Sequence, residues 1–149
     1  MAEKVIVRMN RDYEVGFWYV NPESDRDDFQ TVHGLHEVTP YGMMLISLAS
    51  CTAQILLSYA QNHSVDLEDV ALRLVYERVY AQDCEDCEDI EHYKEHITQE
   101  IALNGDLSDK EREKLFRIAH QCPIEKMFIE GIPIDTEMVE VELLEVEKL

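Results

Sequence analysis

The 149-residue chain has four cysteines, and their surroundings divide them into two kinds. Cys51 and Cys122 lie in apolar segments, whereas Cys84 and Cys87 lie in the acidic run Asp83-Cys84-Glu85-Asp86-Cys87-Glu88-Asp89. Free cysteine packs as a small hydrophobe, so residue type alone makes Cys51 and Cys122 core filler. Two thiols that meet can do more. A thiolate attacks a peroxide O–O bond and becomes a sulfenic acid, and a second thiol condenses with it to a disulfide. An apolar setting raises a thiol pKa, so such a site needs a cation to hold the thiolate. No Asp, Glu, Lys or Arg lies between Val38 and Val65, so the cation must come from elsewhere. Arg8, Arg11 and Arg26 are the N-terminal candidates, and the sequence does not choose among them.

Cys84 and Cys87, with His92 and His96, give C-x2-C-x4-H-x3-H, which has the ligand types of a zinc site. The gap from Cys87 to His92 is tighter than a zinc finger's. The neighbouring acids attract a cation but raise the thiol pKa values, and a redox CxxC normally draws on a helix N-terminus. A solvated acidic loop is the expectation, with a metal site on these four residues as the alternative and a redox dithiol third. His33 and His36 could line a Cys51 pocket or lie on the surface, and His120 should point away from Cys122.

The elements that must position these groups follow from periodicity. Residues 4–9 are rich in β-branched side chains, 13–20 carry aromatics, and Asn10-Arg11-Asp12 is turn material, which predicts a β-hairpin. Residues 21–38 read as a polar connector. Thr39-Pro40 then opens a helix, with Thr39 as N-cap and Pro40 at the first helical position. Met44, Leu48, Cys51, Ile55 and Tyr59 form its apolar stripe, and Met43, Leu45, Leu56 and Leu57 widen it almost around the helix. Such a helix is central, and one small domain can hardly cover it all. Residues 69–82 read as a strand with Leu72, Leu74, Tyr76 and Tyr80 on one face. Ile97, Gln99, Ile101 and Leu103 mark the returning strand, ended by Asn104-Gly105-Asp106. Ser108 and Glu111 form a capping box for a second helix, which places Leu115, Ile118, Ala119 and Cys122 on one face and ends at Pro123. A last strand pair is expected around Ile132–Ile134 and Met138–Val146. The order is ββ-α-ββ-α-β in a single α+β domain over residues 1–149, with a hairpin and connector (1–37) ahead of a helix-containing core (38–149).

Composition narrows the function classes. Hydrophobic content of 46% with five Gly and four Pro suits a folded globule. A net formal charge of −19 disfavours phosphate backbones and anionic membranes as partners. The uncharged stretch from Val38 to Val65 could cross a bilayer by length. Its Ser, Thr, Gln and Asn residues, and the lack of flanking basic clusters, favour a buried helix instead. With no targeting segment at the N-terminus, the expected location is the cytoplasm, where thiols stay reduced.

The cysteine segments carry a family resemblance. Thr39-Pro40-Tyr41-Gly42-Met43-Met44-Leu45 through Leu48-Ala49-Ser50-Cys51-Thr52-Ala53 resembles the first cysteine helix of the OsmC/Ohr family, the osmotically inducible and organic hydroperoxide resistance proteins. Gly105-Asp106-Leu107 through His120-Gln121-Cys122-Pro123-Ile124 resembles its second cysteine helix. Tyr80 through Cys87 is similar to a branch with a CxxC-bearing connector. The match spans roughly residues 38–136, about two-thirds of the chain.

The resemblance implies an α+β fold that dimerises by intertwining, with active sites at the subunit interface. It implies a thiol-dependent peroxidase with Cys51 peroxidatic and Cys122 resolving, no cofactor, and a small or protein dithiol as reductant. Organic hydroperoxides, fatty or aromatic, would be preferred to hydrogen peroxide as substrates, with Tyr41, Met44 and Leu48 the binding residues beside Cys51 and Arg26 or Arg8 the activating cation. In the family a Glu shortly after the helix-opening Pro holds the Arg. Here those positions are Tyr41 and Gly42, and Glu37 is a substitute carboxylate nearby. A non-enzymatic module that binds or senses an apolar ligand is the alternative reading.

Overall fold

In the computed structural model, which describes residues 2–80 and 93–144, five antiparallel strands form one sheet and helices cover one of its faces. Strands β1 (Ala2–Asn10) and β2 (Val15–Val20) make the expected hairpin, and a two-residue strand β3 (Gln30–Thr31) within the polar connector extends it. Helix α1 (Pro40–Asn62) precedes the long hairpin of β4 (Leu67–Tyr80) and β5 (Tyr93–Gly105). The sheet order is β3-β2-β1-β4-β5. Helices α2 (Asp109–Ala119) and α3 (Pro123–Glu130) follow.

Strand parity decides what faces α1. Val5, Val7 and Met9 on β1 are buried, as are Val70, Leu72, Leu74 and Tyr76 on β4. They meet Leu45, Ala49, Ala53, Leu56 and Ala60 of α1 in one core. Small residues at positions 49, 53 and 60 let the helix approach the sheet closely, and burial of each Leu contributes about 1.5–3 kcal/mol. Thr39 Oγ1 accepts from the Gly42 N–H at 3.1 Å, so the expected N-cap forms. Ser108 and Glu111 form the expected capping box at α2.

Three features of the structure go beyond or against the expectations. First, the stripe Met44–Cys51–Ile55–Tyr59 lies beside the face turned to the sheet. Those side chains are only half-buried, and the sheet takes the neighbouring stripe of Leu45, Ala49, Ala53 and Leu56. Both stripes are apolar, so periodicity gave no means of ranking them. Second, α2 ends at Ala119, short of Cys122, and Pro123 opens a third helix; proline's fixed φ suits a first helical position as well as a stop. Third, no strand forms after α3 among the described residues. Residues 131–140 have no regular structure and Val141–Leu144 make a 3₁₀ turn. An extended segment needs a neighbouring strand, and Pro133 lacks the N–H to pair. Ile132, Ile134, Met138 and Val141 are left exposed.

Helix α1 has the length and apolar character of a membrane span, with a mean hydropathy of 1.6 over its most apolar window, and half of that window is buried within the protein. Cys84, Cys87 and His92 lie outside the described residues, and His96 lies on β5.

Candidate active site

Cys51 lies in the middle of α1 on the half-buried stripe, and Cys122 is fully buried at the N-cap of α3. The α2–α3 corner brings them together: Ile118 and Ala119 anchor the end of α2 in the core, and Pro123 turns the chain into α3 so that its first turn faces Cys51. The Cys122 thiol lies within hydrogen-bonding reach of the Cys51 sulfur, and the backbone N–H of Ile124 donates to that sulfur. Burial pushes the Cys51 thiol up to about 11, the Cys122 thiol adds to the rise, and the Ile124 N–H opposes it. The N–H belongs to a helix start, where the backbone favours negative charge.

None of the N-terminal arginines supplies a cation here. Alternate residues of β1 face opposite sides of the sheet, and Arg8 is on the side away from α1, paired to Asp69 at 2.9 Å. Arg26 is exposed and paired to Asp28 at 3.2 Å, in the loop whose Asp27 reaches Lys4 on that same outer side. Arg11 is paired to Asp66 at 3.0 Å. Arg8 and Arg26 are therefore not partners of Cys51 within this protomer. Glu37 caps its own 3₁₀ turn through the His33 and Gly34 N–H groups, which hold its carboxyl below the usual range.

A cavity of about 550 Å³ opens one helical turn from Cys51. Tyr41, Met44 and Leu48 of α1 line it. Its other walls come from Tyr76 on β4, Ile97 and Gln99 on β5, and Glu125 and Phe128 on α3. At its far end Arg78 hydrogen-bonds to the Tyr41 hydroxyl and lies 5.4 Å from the centroid of that ring. Tyr41 and Tyr76 stack, with centroids 5.0 Å apart. The Tyr76 hydroxyl donates to Glu95 at 2.7 Å, and Glu95 lies 3.9 Å from Arg78. Burial and the Glu95 bond raise the Tyr76 phenol; hydrogen bonds to Tyr76 and Tyr41 raise Arg78 despite its partial burial.

Sequence reasoning missed Arg78, and the signal was available. It shares strand parity with Leu72, Leu74 and Tyr76, so it had to face the helix side. Tyr41 therefore occupies the position after Pro40 and holds an arginine through a phenol. Yet Tyr41 precedes Cys51 by ten residues, about 15 Å of helix rise, so the arginine it holds is remote from the sulfur. The remaining missed residues, Glu95, Gln99 and Glu125, enter through tertiary packing. Among the described residues, no group of His, Cys, Asp and Glu could hold a metal ion.

Comparison with known proteins bears on the fold and the family. The solved structure of an OsmC-like hydroperoxide resistance protein from Jannaschia sp. CCS1 is similar at a TM-score of 0.57 and 15% identity, covering 95% of each chain. The organic hydroperoxide resistance protein OhrB of Bacillus subtilis is similar at a TM-score of 0.41 and 17% identity, over 83% of this chain and 87% of that one. Comparison with curated proteins finds no match. The family model for OsmC-like proteins matches residues 33–137, which include both cysteine segments, and the chain belongs to that family.

Proposed function

We propose that this protein reduces organic hydroperoxides with a thiol pair, Cys51 attacking and Cys122 resolving. The observation that carries the reading is the meeting of the two sulfurs beneath the first turn of α3, beside an apolar cavity. The Cys51 thiolate attacks the terminal peroxide oxygen, the O–O bond breaks, and the leaving alkoxide takes up a proton as the alcohol. Cys51 is then a sulfenic acid. The Cys122 thiol displaces its hydroxyl as water, and a disulfide forms. A small or protein dithiol returns both cysteines to thiols. No cofactor is needed for these steps. Met44 and Leu48 favour an apolar tail, since each buried methylene is worth about 0.8 kcal/mol.

The working form is a homodimer in the cytoplasm. Its support is the apolar surface one protomer leaves open: Met43 on α1, Met127, Phe128 and Ile129 on α3, and the exposed Ile132 and Ile134 beyond. A second copy would cover that surface by intertwining through the segment after α3.

One observation favours a second reading, a module that binds an apolar ligand without turnover. The Cys51 thiol at about 11 is overwhelmingly protonated at neutral pH, and no arginine of the described protomer touches it. Counting free thiols before and after exposure to cumene hydroperoxide separates the two. Loss of two thiols, mapped to Cys51 and Cys122, supports the peroxidase; unchanged thiols support the module.

A further inference from the structure

The cavity lies between the same two helices that the cysteines bring together. On one side are Met44 and Leu48 of α1, and Leu48 is one turn before Cys51. On the other are Glu125, Phe128 and Ile129 of α3, and Glu125 is one turn after Cys122. The width of the cavity near the thiols is therefore tied to the distance between the two sulfurs. Hydrogen-bonded thiols stand farther apart than bonded sulfurs, so oxidation draws the two elements together.

Burial decides which of them moves. Leu45, Ala49, Ala53 and Leu56 on the sheet side of α1 are completely buried, so a shift of that helix disturbs the whole core. No residue of α3 is fully buried, Ile124 is only partly buried against the core, and residues 131–140 beyond it have no regular structure. An element with so few buried contacts yields at the lower free energy. The Ile124 N–H, bonded to the Cys51 sulfur, carries the shift into the first turn of α3.

We propose that α3 is a redox-coupled wall of the cavity: closing the Cys51–Cys122 disulfide draws its first turn onto α1, narrows the cavity and releases an apolar occupant. The inference rests on the functional reading above in taking Cys51 and Cys122 as the pair that oxidises. The two thiols give up two electrons and two protons as the S–S bond forms, and in turnover the peroxide takes them and leaves as alcohol and water. The alcohol left by the first step is expelled by the second, and reduction restores room for the next substrate. Linkage makes the effect reciprocal, so an occupant that favours the dithiol form makes the disulfide easier to reduce by the same factor.

The test uses octanol, which does not oxidise a thiol, and makes the disulfide with diamide, which takes up the two electrons and two protons as it becomes a hydrazine. Calorimetric titration is expected to show octanol binding the dithiol form at least about fivefold more tightly than the disulfide form. In a dithiothreitol redox buffer, saturating octanol should then raise the midpoint potential of the pair by about 20 mV, the same factor at about 30 mV per tenfold. Cys122→Ala cannot form the bond, yet diamide can still act on Cys84 and Cys87, so its octanol affinity should be the same before and after treatment. Equal affinity in the two wild-type forms, tighter binding to the disulfide form, or no octanol binding by either overturns the proposal. So does a diamide-induced loss of affinity in Cys122→Ala, or the absence of a Cys51–Cys122 bond after diamide. If the coupling holds while cumene hydroperoxide consumes no thiols, the peroxidase reading fails and the coupled wall stands.

Discussion

The backbone N–H of Ile124, in the first turn of α3, donates to the sulfur of Cys51 in the middle of α1. Through this bond a short helix after Cys122 offers the attacking sulfur a fixed donor, while the Cys122 thiol stands beside it. The donor favours thiolate; burial and the second thiol oppose it, and in the reduced protomer the opposing influences prevail.

The pH dependence of Cys51 follows from that balance. With its thiol pushed up to about 11, the thiolate fraction at Cys51 climbs about tenfold per pH unit from neutral pH towards 10. Alkylation by iodoacetamide, mapped to Cys51 by mass spectrometry, should therefore rise across that range without levelling near the ordinary thiol value of about 8.5. Cys122→Ala removes one raising influence and should move the profile to lower pH. The folded state holds this proton more tightly than the unfolded chain does. Its contribution to stability is accordingly complete below the ordinary thiol value and is lost as pH rises towards 11. A plateau in alkylation at pH 8 or below would place a cation at the sulfur.

Oligomeric state is the second expected outcome. Ile129 is 77% exposed, Ile134 82% and Met138 100%, a display of apolar side chains that a lone soluble protomer rarely leaves uncovered. Sedimentation of the full chain should give about twice the 17.4 kDa of one protomer. Ile129→Glu combined with Ile134→Glu should shift the equilibrium towards the monomer. A wild-type monomer at high micromolar concentration would argue against the interface.

Much of the fold was legible because local chemistry and tertiary packing agreed. Thr39-Pro40 and Ser108 with Glu111 mark helix starts by groups that satisfy orphan N–H donors, and both caps form. The β4–β5 hairpin follows from alternation that continues over many residues. Legibility failed where two placements satisfy the same rule. α1 is apolar on both the Leu45 and the Met44 side, and only the presence of the sheet decides between them. The residues after Gly131 carry an alternating pattern with no strand beside them in the protomer. At the site, Cys51 and Cys122 were readable as two thiols on inward-tending segments, and they do meet. Arg8 and Arg26 were named without following strand parity, which turns Arg8 to the outer side of the sheet and Arg78 to the helix side.

Gly105 tests the hairpin that carries the cavity wall. It has φ +155 at the end of β5, and a Cβ there would sit inside the van der Waals envelope of the Asp66 carbonyl oxygen. Because the obstacle is backbone, no rotamer change relieves it. Gly105→Ala should cost about 2 kcal/mol or more in chemical denaturation, through strain and displacement of the β4–β5 pairing. A loss below about 0.5 kcal/mol, the range of an ordinary surface change, would contradict this close approach.

The central claim is that Cys51 and Cys122 act as a redox pair, and one measurement reaches it most directly. Reduced protein is treated with one equivalent of cumene hydroperoxide, and intact mass, free-thiol count and disulfide map are followed over time, with Cys51→Ser in parallel. The account predicts the loss of two thiols to a Cys51–Cys122 disulfide in the wild type, with one alcohol formed for each peroxide consumed and neither event in the variant. Unchanged thiols over many minutes, or equal peroxide consumption by Cys51→Ser, would contradict it.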